Sequence, residues 1–276
     1  MHIKHILSLM ATVALALLAS CEPEEPTNEV NNKLHGDPVA ATLTLEAGTV
    51  TDGLFTVNPL PKEGQRAVST QSITFRLQEH GWMPISPRDT AFFVLKDQAY
   101  RLSIRYTDAR DQDITGDFIR NGQDAIHQHF FRLRAFKPLL GETLTAAEKK
   151  LNSSSALATD ALIPQLLEYH YADTNPWDGQ QDATGSNITG ENPKTGALIN
   201  PVGMKGWLRF TTENRHLKLQ IDLMHARTSK YNKSVCSPYY QPSARQRISD
   251  HWDVQMAVPI VSLTDLNAET KYLQTK

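Results

Sequence analysis

The chain contains only two cysteines, Cys21 and Cys236, among 276 residues. Two widely separated cysteines exclude a disulfide-dense scaffold and any Cys-x-x-Cys metal or redox pair. An excess of basic residues is also missing, because 28 Lys and Arg oppose 30 Asp and Glu, for a formal net charge of −2. Proteins that bind nucleic acids normally carry a basic patch, so we expect no nucleic-acid partner.

Motifs of the common enzyme classes are missing as well. The sequence has no Gly-rich phosphate loop after a strand, no Gly-x-Ser-x-Gly elbow and no His-Glu-x-x-His helix. Serine, histidine and aspartate are present, but a catalytic triad meets in space and cannot be recognised from composition. The sequence therefore predicts a protein that is not an enzyme.

The N-terminus has the layout of a secretory signal peptide. Residues Met1–Ser20 combine a short basic start with an apolar run that is too short for a membrane-spanning helix. Leu18-Ala19-Ser20-Cys21 resembles a bacterial lipobox, which predicts that Cys21 is lipidated and becomes the first residue of the mature protein. A plain secretory signal with a chance cysteine is the alternative.

An acidic, proline-bearing segment follows Cys21. We interpret residues 21–38 as the lipidated cysteine and a flexible tether. Acidic residues at this place resemble the surface-export signals of lipoproteins in Bacteroidota, and a simple solvated linker is the alternative. Lipidation of Cys21 would leave Cys236 without a disulfide partner. We interpret Cys236 as an inert thiol, with a reactive thiol or a soft metal ligand as alternatives.

Hydrophobic residues alternate with a period of two along most of the mature chain. Tyr100–Thr107 is typical, with turn residues rich in Gly, Pro, Asn and Asp between such runs. The pattern predicts an all-β fold over residues 39–265, an immunoglobulin-like β-sandwich with long loops and a short helical excursion. We expect that helical insertion at about 139–165, a mobile loop at about 179–201 and a C-terminal tail at 266–276.

A pair of histidines is the clearest chemical feature. His127 and His129 are two residues apart in a predicted strand, so their side chains lie on one face. Two imidazoles at this spacing can bind one transition-metal ion, such as zinc, copper or iron. His225, on the inward face of another predicted strand, is the expected third ligand. His251 and Asp253 share a face that the alternation predicts to be exposed, and we exclude them from the metal site.

Haem is an alternative ligand for these histidines. Axial haem ligands lie on opposite sides of the porphyrin. His127 and His129 share one face and therefore cannot serve as both axial ligands of one haem. A haem site would need one of them together with a distant residue such as His170 or His225.

Several short motifs occur in a fixed order between Ala41 and Ile260. They are Leu95–Tyr106, Asp113–Thr115, Ile126–Phe131, Tyr169–Asn175, Pro201–Gly206, Leu219–His225 and Asp253–Met256. In this order they resemble a small family of Bacteroidota outer-membrane lipoproteins that share a His-Gln-x-Phe strand.

The resemblance implies a cell-envelope accessory protein that works beside a TonB-dependent receptor. It maps histidines onto His127 and His225, whereas His129 departs from the family pattern and Ile126 replaces a usual acidic residue. We expect a lipid-anchored outer-membrane protein, facing the surface or the periplasm, that binds a transition metal or metal chelate and assists uptake. A haem-binding lipoprotein and a structural or adhesive surface module without a small ligand are the alternatives.

Overall fold

The computed structural model describes most of the chain after the predicted tether. The described residues are 35–58, 64–85, 91–139, 141–153, 159–174, 190–191, 198–199, 201–232 and 235–275. The predicted signal peptide, Cys21 and most of the predicted tether lie outside these residues. Most of the loop predicted at 179–201 also lies outside them.

The described residues are mostly in β-strands. The strands are β1 Ala40–Thr51, β2 Leu54–Val57, β3 Gln71–Gln78, β4 Gly81–Pro84, β5 Phe92–Leu95, β6 Ala99–Thr107, β7 His127–Pro138, β8 Leu167–Tyr171, β9 Gly190–Glu191, β10 Leu198–Ile199, β11 Lys205–Phe210, β12 Arg215–His225 and β13 His251–Leu263. The α-helices are α1 Ala146–Ser153, α2 Ala244–Ser249 and α3 Leu266–Gln274. Short 3₁₀ helices cover Arg66–Val68, Thr115–Phe118, Arg120–Ala125 and Asp160–Gln165.

Within the described residues, the longer strands form two sheets. The first sheet has the order β4-β3-β1-β6-β11-β8, with β2 paired to β1. All of its pairings are antiparallel. The second sheet has the order β5-β13-β12-β7, in which only β5 and β13 run parallel. The short strands β9 and β10 pair with each other.

The main hydrophobic core lies between the two sheets. In β1, Leu43 and Leu45 are buried, whereas Thr42 and Thr44, which alternate with them, are half-buried, as expected of a sheet with one face on the core. Buried residues of the second sheet, such as Phe131 and Val258, belong to the same core cluster. The prediction of an all-β, sandwich-like fold is therefore confirmed.

The helices are few and lie outside the sheets. Helix α1 begins two residues later than a Thr143 cap would place it, because the Oγ1 of Thr145 accepts the backbone N–H of Glu148 at 3.2 Å. The segment that we predicted as a tail contains α3, whose Tyr272 packs against Phe93 of β5. Among the described helices, none has the length and apolar character needed to cross a membrane.

A buried ion pair attaches α1 to the second sheet. The Nε of Arg215, at the start of β12, donates to the Oε1 of Glu148 at 3.0 Å, and both side chains are buried. Arg215 also donates to the backbone carbonyls of Asn214 and Thr143. Because every contact of this guanidinium is made away from water, the loss of its carboxylate partner is costly.

We expect Glu148→Ala to lower the free energy of unfolding by about 3–5 kcal/mol, since it leaves a buried and uncompensated positive charge. Urea denaturation measures the change. The exposed neighbour Lys149 provides the control, and Lys149→Ala should change stability by less than about 0.5 kcal/mol. Equal stability of the two variants would contradict a structural role for the ion pair.

Candidate metal centre

Four side chains converge at one end of the sandwich. His35, His127, His225 and Asp253 each direct one potential ligand atom to a common point, and these atoms lie within 4.8 Å of one another. Three of the residues belong to neighbouring strands of the second sheet, β7, β12 and β13. His35 precedes β1. This group of four residues, called the His/Asp cluster below, can hold a metal ion.

The ring of His127 is oriented by the chain just before its own strand. Its Nδ1 donates to the backbone carbonyl of Gln123 at 2.8 Å, within the 3₁₀ helix Arg120–Ala125. With the proton on Nδ1, the Nε2 of His127 carries a lone pair directed into the cluster. A backbone carbonyl that fixes the tautomer in this way is typical of metal-binding histidines.

Burial also favours the neutral form of His127. The side chain is 0% exposed, and burial holds the pKa of His127 well below its usual range. The neighbouring rings of His225 and His35 lower that pKa further. Neutral imidazole is the form that binds metal ions.

His35 meets His127 from outside the second sheet. Its Nδ1 donates to the backbone carbonyl of Gly36 at 2.9 Å, so its Nε2 also carries a lone pair. The two Nε2 atoms of His35 and His127 lie 3.1 Å apart. The ring of Phe118 packs against both histidines, with ring centroids at 4.2 and 5.1 Å. Two lone pairs thus face each other beside an apolar wall.

A β-bulge in β13 brings Asp253 to the cluster. The register of β12 and β13 steps from Leu223 opposite Val254 to Met224 opposite Trp252, which leaves Asp253 as the extra residue. The Oδ2 of Asp253 lies 3.3 Å from the Nδ1 of His225 and 3.9 Å from the Nε2 of His127. Asp253 therefore contributes a carboxylate to a cluster that otherwise consists of imidazole rings.

The prediction that the face with Asp253 is exposed was wrong. The side chain of Asp253 is only 14% exposed. Inward positions in β13, such as Val254 and Met256, have even numbers, which predicts that Asp253 points outward. The bulge moves the alternation of inward and outward positions by one residue at this point. A pattern of period two in the sequence does not reveal a bulge.

His35 was also missed, because its surroundings in the sequence are polar. Residues 21–38 have the composition of a linker, and a single histidine in a linker carries no periodic signal. In the structure His35 is 8% exposed. The tether predicted at residues 21–38 therefore contains a residue of the His/Asp cluster.

The structure brings together two of the three predicted ligands, His127 and His225, and places His129 elsewhere. His129 is fully buried, and its Nδ1 donates to the carbonyl of Val202 at 2.8 Å. Its Nε2 accepts the hydroxyl of Tyr106 at 2.7 Å. Both nitrogens of His129 are therefore engaged by other groups, and His129 is not a member of the His/Asp cluster.

A buried lysine supports the start of β7. The Nζ of Lys230 donates to the carbonyls of His127 and Pro201, at 2.8 and 2.6 Å. Burial lowers the pKa of Lys230 to about 8. Burial likewise raises the pKa of the nearby Cys236 thiol, which keeps it protonated at neutral pH. That state agrees with an inert thiol.

The titration of His129 should be visible in the stability of the metal-free protein. Burial lowers the pKa of His129 to about 4 in the folded state, against 6.5 for an ordinary histidine. Between these values only the unfolded chain takes up the proton, so stability is full above pH 6.5 and falls as the pH drops towards 4. The expected loss is about 3 kcal/mol.

We expect His129→Gln to reduce the acid-induced loss by about 3 kcal/mol and to leave the part caused by the buried His127, as measured by urea denaturation at pH 7.5, 5.5 and 4.5 with a chelator present. The exposed His80 provides the control, because His80→Gln should keep the pH dependence of the wild type. An unchanged pH dependence in His129→Gln would show that other groups cause the loss.

Comparison with protein-family models, with curated proteins and with solved structures found no match to this chain. The function is therefore inferred from the His/Asp cluster and from the sequence.

Proposed function

We propose that this protein binds one divalent transition-metal ion in the His/Asp cluster. The observation that carries the proposal is the contact between the Nε2 atoms of His35 and His127. Both atoms are acceptors, because each ring donates through its Nδ1 to a backbone carbonyl. At 3.1 Å the two lone pairs repel each other unless a cation lies against both.

A shared proton is the other way to relieve this repulsion, and burial opposes it. A proton would create a positive imidazolium beside the fully buried ring of His127, whose pKa is already held well below its usual range. A metal ion shares its positive charge among several ligands at once, including the carboxylate of Asp253. The ion is therefore the better occupant.

Zinc fits the ligand set best. Three imidazoles and one carboxylate are ligands of the type that Zn²⁺ accepts, and bonds of about 2.0–2.1 Å place tetrahedral ligand atoms about 3.3 Å apart. The His35–His127 and His225–Asp253 separations are 3.1 and 3.3 Å. The His127–Asp253 separation is longer, at 3.9 Å, so the carboxylate would have to move towards a tetrahedral ion. The cluster contains no sulfur ligand, which disfavours Cu(I). Four protein ligands also favour a closed binding site over a catalytic one.

The same packing disfavours haem. The ring of His127 lies 4.8 Å from that of His35 and 4.5 Å from that of His225, centroid to centroid. A porphyrin between two axial histidines would have to separate these rings, and Phe118 closes a further side. A small ion needs no such separation.

We propose further that the protein is a lipid-anchored envelope lipoprotein that passes metal ions or metal chelates to a TonB-dependent receptor. The lipobox-like Leu18-Ala19-Ser20-Cys21 supports the anchor. The ordered motifs that resemble the Bacteroidota lipoprotein family support the location and the partner. A cluster of metal ligands at one end of the sandwich agrees with an uptake role.

The chelator-treated wild type should bind about one equivalent of zinc, as measured by competition with a chromophoric chelator and by elemental analysis. His127→Ala should weaken zinc binding at least about 100-fold, because it removes the central ligand. His129→Gln should bind zinc like the wild type, since His129 lies outside the cluster.

His216 provides a matched control for these variants. It lies on β12, the strand of His225, and its Nε2 contacts the hydroxyl of Tyr272 at 3.3 Å. His216→Ala should retain zinc. Equal zinc binding by the wild type and His127→Ala would contradict the proposed metal site. A Soret band on titration with haemin would favour the haem alternative. A protein that binds neither would be a structural or adhesive module.

Lipidation is tested separately in a bacterial host that processes lipoproteins. Metabolic labelling with a palmitate analogue should mark the full chain and place it in the membrane fraction, and Cys21→Ala should remove both signals. Cys236→Ala should leave both unchanged, because Cys236 is buried in the folded domain. Label retained in Cys21→Ala would contradict the anchor.

A further inference from the structure

The four residues of the His/Asp cluster come from two different parts of the fold. His127, His225 and Asp253 lie on neighbouring strands of the second sheet, so the sheet itself holds them in place. His35 lies five residues before β1, which is a strand of the first sheet. An ion in the cluster would therefore join the second sheet to the segment that enters the first sheet.

The segment of residues 35–39, called the N-terminal strap below, is fixed differently at its two ends. At the β1 end, the N–H of Val39 donates to the carbonyl of Thr107 at 2.9 Å, and the carbonyl of Val39 accepts the N–H of Leu77 at 2.8 Å. Gly36 and Asp37, in the middle, are exposed. At the far end, the His35 ring lies against Phe118 and His127.

The contact at the far end depends on what lies between the rings. Without a cation, the Nε2 atoms of His35 and His127 are two acceptors 3.1 Å apart, an unfavourable contact that does not hold the strap to the second sheet. With a cation, the same two atoms become ligands of one ion and the contact becomes attractive. The ring packing on Phe118 does not depend on the ion. The ion therefore turns the unfavourable contact between the two Nε2 atoms into an attractive one.

We propose that the metal ion fastens the N-terminal strap to the second sheet, so that metal occupancy controls how firmly His35 is attached to the sandwich. This inference rests on the proposed metal site. The three ligands of the sheet capture the ion first, and His35 completes the coordination.

Hydrogen–deuterium exchange on the full chain, analysed by mass spectrometry with electron-transfer fragmentation, tests this proposal. Zinc at saturating concentration should slow exchange of the amides of Gly36 and Asp37 at least about tenfold relative to the chelator-treated protein. The amide of Val39 is an internal reference, because its hydrogen bond to Thr107 is present in both states.

Two variants make the test specific. His35→Ala should still bind zinc through His127, His225 and Asp253, at least about tenfold more weakly, and saturating zinc should no longer slow exchange at residues 36–37. Asp37→Asn changes an exposed neighbour in the same strap and should behave like the wild type.

The outcomes separate this inference from the proposed function. Zinc bound to the wild type without slower exchange in the strap would overturn the inference and leave the metal site intact. The same slowing in His35→Ala as in the wild type would also overturn it. A wild type that binds no zinc would overturn both proposals.

Discussion

Two ring nitrogens that face each other at 3.1 Å, the Nε2 atoms of His35 and His127, set the strongest constraint on this end of the sandwich. A buried pair of acceptors is unfavourable, and native proteins rarely keep one without compensation. Each ring is held in this tautomer by a hydrogen bond from Nδ1 to a backbone carbonyl, and the ring of Phe118 packs against both. A cation bound at this point would compensate the pair of acceptors. The carboxylate of Asp253 can share in binding it, and the ring of Phe118 shields the site on one side.

The backbone around His127 is itself held by buried polar contacts. Lys230 fixes the carbonyl of His127 from one side, and the carbonyl of Gln123 fixes the imidazole from the other. Each of these groups would be costly to bury alone, but together they satisfy one another. The strand therefore starts at a well-defined point, and the ring of His127 has little freedom to turn. This rigidity favours a geometry that selects ions by size and ligand type.

Alternation of apolar residues was enough to predict the strands that line the core, because each sheet presents one face to a common core. The short strands β2, β4, β9 and β10 were not predicted. The same alternation placed His127 and His225 on the inward face, where the structure has them. It grouped His129 with them as well, since strand periodicity gives the face of a residue but not the partner that its side chain meets. In the structure that partner is the hydroxyl of Tyr106.

The other half of the site was not predictable from periodicity. Asp253 reaches His225 only because the register of β13 changes by one residue, and such a step depends on pairing with β12. His35 lies in a polar segment outside any strand, so its place is set by tertiary packing on Phe118. Residues that enter a site through a bulge or a connecting segment follow from the assembled fold, and local sequence contains no direct signal for them.

The position of His35 before β1 also has a mechanical consequence. The five residues of the strap can span at most about 17 Å when fully extended. If Cys21 is the membrane anchor, fastening His35 shortens the chain available between the bilayer and the sandwich by those five residues. The same ion that fills the cluster would then shorten the distance over which the domain can move away from the membrane.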